Sequence, residues 1–136
     1  MDVVVLLARV LFAAIFIASG IGHLTATAAM TGYAQYKGVP AAKLSVIVSG
    51  LLMVVGALSI VLGVWGDLGS LLLAVAILPI PFLMHRFWKE EGEAKMNEQV
   101  QFNKTLSLVG GAVALFALFA LVPDLGLTVT GPLFNV

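Results

Sequence analysis

The chain contains two histidines, His23 and His85, and each stands at the end of a long apolar run. An imidazole pair can ligate haem or a metal, or can exchange protons with a bound quinone, because histidine changes charge near neutral pH. We expect neither haem nor a metal, since no carboxylate or cysteine stands at ligand spacing beside either histidine. The other interpretation is that both histidines are ordinary polar caps at a membrane boundary.

The residues after His85 add cations and an indole at the same boundary, in the order Arg86, Phe87, Trp88 and Lys89. Such residues anchor a helix at the level of the lipid head groups. They can also hold an aromatic head group or an anionic lipid by stacking and charge. Both interpretations of Arg86 and Trp88 stay open on the sequence.

Arg9 lies inside the first apolar run, about 9 Å from Val3 at the helical rise. A charge within a membrane span is a functional candidate, and its partner has to be named. We expect a structural ion pair with Asp67 or Asp124, with Asp2 as a third candidate partner. A side chain that reaches outward to water, or that contacts a substrate, is the alternative.

Pro79 and Pro81 stand late in the third apolar run, where each ring removes an amide donor. The pattern predicts a kink or a break, which frees the carbonyls of Val75 and Ile77. We favour a helix that bends as it leaves the membrane. The alternative is a broken helix that lines a cavity and offers its carbonyls to a ligand.

The elements that carry these residues are predicted by composition and run length. Of the 136 residues, 61% are hydrophobic and 10% are charged, against about 25% charged in soluble domains. A helix needs about 20 apolar residues to cross the bilayer. Four runs qualify, at about 3–22, 44–65, 68–84 and 106–122. The sequence therefore predicts an all-α fold, an integral membrane four-helix bundle, with residues 1–136 as one domain.

Charge and cysteine usage exclude several classes of function. Seven basic and seven acidic residues leave no net charge, so we expect no nucleic-acid partner. The absence of cysteine excludes a thiolate nucleophile or a cysteine-ligated centre in this chain. A transporter is disfavoured because the predicted spans contain no carboxylate.

The connections set the predicted orientation. With four crossings, segments 25–43 and 85–105 share one side, and the termini and the turn at 66–67 share the other. The first side carries all the basic residues except Arg9, so the positive-inside rule places those segments in the cytoplasm and both termini outside. We also expect the first run to be a retained helix, and the polar segment 90–104 to begin the fourth helix early.

Several motifs along nearly the whole chain are similar to those of a known family. They are LARVL at 7–11, SGIGHL at 19–24, GVP at 38–40, HRFW at 85–88, QFNKTL at 101–106 and GG at 110–111. In these features the chain resembles the DoxX family of small four-helix bacterial membrane proteins, which includes DoxD-like subunits.

The resemblance implies where the protein is located and what it works with, but it does not imply a specific reaction. Members are described as subunits of membrane oxidoreductases, including thiosulfate:quinone oxidoreductase, as parts of an oxidative-stress complex, or as assembly factors. It implies a bacterial inner (plasma) membrane protein that contacts lipid, takes part in redox chemistry and works with a protein partner or as a homo-oligomer. The resemblance implies no catalytic residue that could be assigned to a position of this chain.

Combining the two lines of reasoning, we expect a quinone as the ligand, with His23 and His85 as catalytic candidates that handle the proton. Arg86 and Trp88 are the candidates for holding the head group. If the chain is an enzyme, it is a quinone-linked oxidoreductase subunit. The alternative is a non-enzymatic scaffold or assembly factor that binds a larger complex through small-residue faces such as Ala14, Ala18 and Gly22.

Overall fold

The computed structural model describes residues 1–134, and this part of the chain is helical without a β-strand. In chain order it contains five α-helices, a short 3-10 helix and a sixth α-helix. The bounds are Asp2–Thr25 for α1, Thr27–Tyr36 for α2, Ala42–Leu62 for α3, Gly66–Ile77 for α4, Pro79–Met84 for α5, Phe87–Lys89 for the 3-10 helix and Gly92–Leu121 for α6.

Within residues 1–134, four helical segments are long and apolar enough to cross a membrane: α1, α3, the region Gly66–Lys89 that contains α4 and α5, and α6. Their outer faces carry large exposed apolar side chains, including Leu11, Val55 and Leu121. Such faces are stable against lipid and costly in water. The predicted all-α membrane bundle of four helices is confirmed.

The spans pack in the order α1, α3, α4 and α6. Glycines let the backbones approach closely, as lipid-embedded helices require. A Cβ atom added at Gly20 on α1 would lie 2.8 Å from the carbonyl oxygen of Gly50 on α3. One added at Gly56 on α3 would lie 2.8 Å from the carbonyl oxygen of Gly69 on α4. These two contacts hold the first three spans together.

The interior of the bundle is filled by apolar side chains from all four spans, including Phe16, Met53, Leu73 and Ala112. The buried face of α1 consists of Arg9, Ala13, Phe16 and Gly20. The small-residue face of α1 is not the one that packs inside the bundle, since Ala14 and Ala18 are exposed.

The two longer connections, segments 25–43 and 85–105, are partly helical. Segment 25–43 includes the ten-residue helix α2, which packs on α3. Helix α6 begins at Gly92, so the expected early start of the fourth helix is confirmed.

The third span breaks at Leu78, between α4 and α5. Leu78 keeps helical dihedral angles, φ −56° and ψ −40°, and its amide still donates to the carbonyl of Ala74 at 3.0 Å. Pro79 and Pro81 have no amide hydrogen, which leaves the carbonyls of Val75 and Ile77 without their helical donors.

Candidate functional site

A cavity of about 480 Å³ lies between α1, α2, α3 and the α4–α5 pair. Its polar side chains are His23, Tyr33, Ser45, Ser49 and His85. The two histidines, one from the last turn of α1 and one that directly follows α5, therefore share one cavity. The apolar wall includes Met30, Val46, Leu52, Pro79, Ile80 and Leu83.

His23 is held by its own helix. Its Nδ1 lies 2.8 Å from the carbonyl oxygen of Ser19. A carbonyl oxygen only accepts hydrogen bonds, so Nδ1 carries the hydrogen. In the neutral ring, Nε2 then carries a free lone pair, and it has no hydrogen-bond partner among residues 1–134.

His85 is held by a residue of another span. Its Nδ1 lies 2.8 Å from Oε2 of Glu98 on α6, and Oε1 of Glu98 accepts a hydrogen bond of 2.6 Å from Nζ of Lys37. The three side chains are largely shielded from solvent, at 20%, 18% and 13% exposed respectively. The hydrogen bond that Lys37 donates to the Glu98 carboxylate raises the pKa of Lys37 above its usual value of 10.5. A carboxylate behind an imidazole fixes the tautomer and orientation of the ring.

Sequence spacing gave no indication of Glu98. It lies on the polar first part of α6, between exposed residues, and it reaches His85 only because α5, the 3-10 helix and α6 fold together. Along the chain no carboxylate stands at ligand spacing beside either histidine, but the fold brings Glu98 into contact with His85.

Arg86 and Trp88 do not line the cavity in the part of the chain that the structure describes. Arg86 donates a hydrogen bond from Nη2 to the carbonyl oxygen of Lys37, which ties the segment after α5 to the end of α2. Trp88 is half-exposed, and its ring meets Phe87 edge-on at a centroid distance of 5.3 Å. The indole also packs on Phe102 of α6.

The break in the third span lies in the cavity wall, since Val75 and Pro79 both line the cavity. Pro81 is buried behind it. The carbonyl that Pro79 deprives of its helical donor therefore belongs to a residue of the cavity lining.

Arg9 lies at the opposite end of the bundle and is fully buried. Its Nε donates to the carbonyl oxygen of Ile60 at 2.8 Å, Nη2 to that of Val61 at 2.6 Å, and Nη1 to that of Leu127 at 3.0 Å. Ile60 and Val61 belong to the last turn of α3, whose carbonyls have no helical donor and carry partial negative charge.

The expected ion pair of Arg9 is therefore wrong for residues 1–134, where no carboxylate lies within the 4.0 Å limit of a salt bridge. Asp67 is a buried carboxylate in the first turn of α4, and its Oδ2 accepts a hydrogen bond of 2.6 Å from the amide of Phe134. Asp124 accepts from the amide of Gly126, and Asp2 contributes no ion pair either. The chain after α6 folds back and supplies partners that the sequence did not indicate.

Within residues 1–134, no three His, Asp or Glu side chains form a group that could hold a metal ion. The atoms that the cavity offers to a ligand are the Nε2 lone pairs of His23 and His85, the serine oxygens and the Tyr33 hydroxyl. This set suits a small aromatic molecule with polar substituents better than a bare charge.

The family model of DoxX matches residues 4–86, which covers the first three spans and both cavity histidines. The chain belongs to the DoxX family. It is thus a multi-pass membrane protein of this family, and the match ends before Glu98 and α6. Neither the curated proteins nor the solved structures gave a match.

Proposed function

We propose that this DoxX protein is a small bacterial inner-membrane subunit that binds a quinone-type head group between His23 and His85 and works with a partner oxidoreductase. The observation that carries the proposal is that both histidines line one cavity. Its volume of about 480 Å³ lies in the usual range for ligand pockets, roughly 300–1,000 Å³.

The lining supports this choice of ligand. A quinone head group is a flat ring with two oxygen atoms, so it needs apolar walls and a small number of polar contacts. The cavity supplies apolar walls from α2, α3 and the α4–α5 pair, and its imidazoles can exchange protons with a ring oxygen. The carboxylate of Glu98 would stabilise His85 after it had taken up a proton.

Arg86 and Trp88 support the cavity from outside in this proposal. Arg86 holds the carbonyl of Lys37 and so keeps the Lys37–Glu98 pair beside His85. Trp88 packs with Phe87 and Phe102 and remains half-exposed, as expected for an anchor at the membrane surface.

Electrons have to come from a partner or from a second bound cofactor, because this chain has no cysteine to form a redox-active thiol pair. The excess of basic residues in segments 25–43 and 85–105 supports a cytoplasmic position for the cavity. The partner would then approach from the cytoplasmic side.

The test is mass spectrometry of the gently purified protein, with extraction of bound quinone. We expect a stoichiometric quinone-type compound, oxidised or reduced, on the unmodified chain and its loss in the double variant His23→Ala, His85→Ala. The matched control is Thr25→Ala, Thr105→Ala, because both hydroxyls bond only to their own helices. A chain that carries neither quinone nor quinol, or a double variant that keeps the bound compound, would contradict the proposal.

A scaffold is the second candidate function, and the exposed small residues favour it. Ala14 and Ala18 on α1 face outward, and the space around Gly110 on α6 is open to 4 Å. Helices of a partner could approach there closely. Recovery of a stable protein complex without a bound quinone would favour the scaffold.

A further inference from the structure

The hydrogens of the cavity's polar side chains are mostly committed to protein acceptors. His23 donates from Nδ1 to the carbonyl of Ser19 at 2.8 Å, and His85 donates from Nδ1 to Glu98 at 2.8 Å. Each neutral ring therefore presents Nε2 as an acceptor.

The two serines of the cavity are committed in the same way. Ser45 Oγ donates to the carbonyl of Pro40 at 2.8 Å, and Ser49 Oγ donates to the carbonyl of Val46 at 3.2 Å. Since a carbonyl cannot donate, each hydroxyl hydrogen is used, and only the oxygen lone pairs remain for a ligand.

The backbone adds acceptors and few donors. The amides of Met30, Val39 and His85 donate to carbonyls at 3.0, 2.9 and 3.2 Å, and Pro40 and Pro79 have no amide hydrogen. Pro79 also deprives the carbonyl of Val75, a residue of the cavity lining, of its helical donor.

Tyr33 is the exception. Its hydroxyl has no hydrogen-bond partner within residues 1–134, and the side chain is 47% exposed beside Lys37. It can donate one hydrogen bond at the rim of the cavity.

From this pattern we propose that the cavity selects the reduced, dihydroxy form of the head group, a quinol, over the quinone. The inference rests on the quinone-type site proposed above and specifies its ligand. A quinol has two hydroxyl donors that match the acceptors of the cavity, whereas a quinone has two carbonyl acceptors that meet lone pairs.

The expected size of the preference follows from the number of hydrogen bonds. A net hydrogen bond changes affinity by about three- to tenfold. Two hydroxyls would therefore favour the quinol by about ten- to hundredfold, provided that the imidazoles are neutral.

The experiment compares three compounds on the full chain in lipid nanodiscs at alkaline pH. They are decylhydroquinone kept reduced, decylbenzoquinone, and the dimethyl ether of decylhydroquinone, which keeps the ring and loses both donors. We expect the hydroquinone to bind about ten- to hundredfold more tightly than the other two by calorimetry.

Two variants assign the preference to the residues named. His85→Ala should weaken hydroquinone binding by about three- to tenfold and change benzoquinone binding little. Tyr33→Phe should weaken benzoquinone binding more than hydroquinone binding, because it removes a hydroxyl donor that the two carbonyls of the quinone require.

The outcomes separate this inference from the proposed function. Benzoquinone or the dimethyl ether binding as tightly as the hydroquinone would overturn the selectivity and leave a quinone-type site in place. No binding of any of the three compounds would overturn the site itself, and the selectivity with it.

Discussion

The carboxylate of Glu98 lies 2.8 Å from Nδ1 of His85 and joins α6 to the segment after α5. The same carboxylate holds Lys37 at 2.6 Å, at the end of α2. One residue thus connects three separate parts of the chain at the mouth of the cavity. Because a carboxylate only accepts from the ring, the pairing decides which nitrogen of His85 remains for a ligand.

This pairing predicts the tautomer of His85. In the neutral ring we expect the hydrogen on Nδ1, and we expect Glu98→Ala to release it and populate the Nε2–H form. The measurement is the nitrogen NMR spectrum of the histidine-labelled protein in detergent at alkaline pH. Glu93→Ala is the control, since Glu93 is an exposed residue of the same helix. Identical His85 spectra for Glu98→Ala and the unmodified chain would count against the pairing.

The carbonyl ligands of Arg9 predict a stability effect without an ion pair. Arg9→Met removes four hydrogen bonds and leaves the carbonyls that accepted them without this donor, which should cost about 3 kcal/mol. Asp124→Asn should change stability by less than about 0.5 kcal/mol, as is usual for exposed sites. Both stability changes are measured as the difference in the free energy of unfolding between each variant and the unmodified chain in mixed micelles. A large loss in Asp124→Asn would indicate the ion pair instead.

The close approach of α1 and α3 at Gly20 predicts sensitivity to a single methyl group. Gly20→Ala places a Cβ atom 2.8 Å from the carbonyl oxygen of Gly50, and such overpacking costs typically about 1–3 kcal/mol. Gly110→Ala is the matched control, because nothing lies within 4 Å of the added atom. We expect Gly20→Ala to lower the melting temperature and Gly110→Ala to leave it unchanged. Equal melting temperatures would contradict the contact.

The absence of cysteine allows the orientation to be tested with single reporters. Asp124→Cys and Lys89→Cys both place a thiol at an exposed position, at opposite ends of the bundle. With both termini outside, a membrane-impermeant maleimide should label Asp124→Cys in intact spheroplasts and Lys89→Cys only after lysis. The reverse pattern would place the cavity on the outer side.

Run lengths were enough to predict the four spans, and the helical periodicity of segment 90–104 predicted the early start of α6. A helix that crosses hydrocarbon must satisfy its own backbone hydrogen bonds, so its length and composition are local properties that the sequence displays directly. The proline pair likewise marked the break at Leu78, since the missing donors belong to the residues themselves.

The contacts of the candidate site join segments that are far apart in the chain, so no single segment displays them. The sequence placed His23 and His85 at helix ends, but their common cavity depends on how α1 and the α4–α5 pair pack against α3. Helix α2 contributes Met30 and Tyr33 to the cavity, but it contains no apolar run of span length, so the sequence predicted only a connection there. The partners of Arg9 were misassigned because the sequence shows carboxylates and does not show which helix-end carbonyls come near.

The amino-acid sequence by itself thus determined the class of protein, the number of spans and the residues with usable chemistry, because the bilayer acts on each segment separately. The tertiary structure alone decided which of those residues meet, since the Glu98–His85 pair, the carbonyl ligands of Arg9 and the Gly20–Gly50 contact each join segments far apart in the chain. Helix packing in lipid depends on close, non-local complementarity, for which run length and hydrophobicity carry no signal.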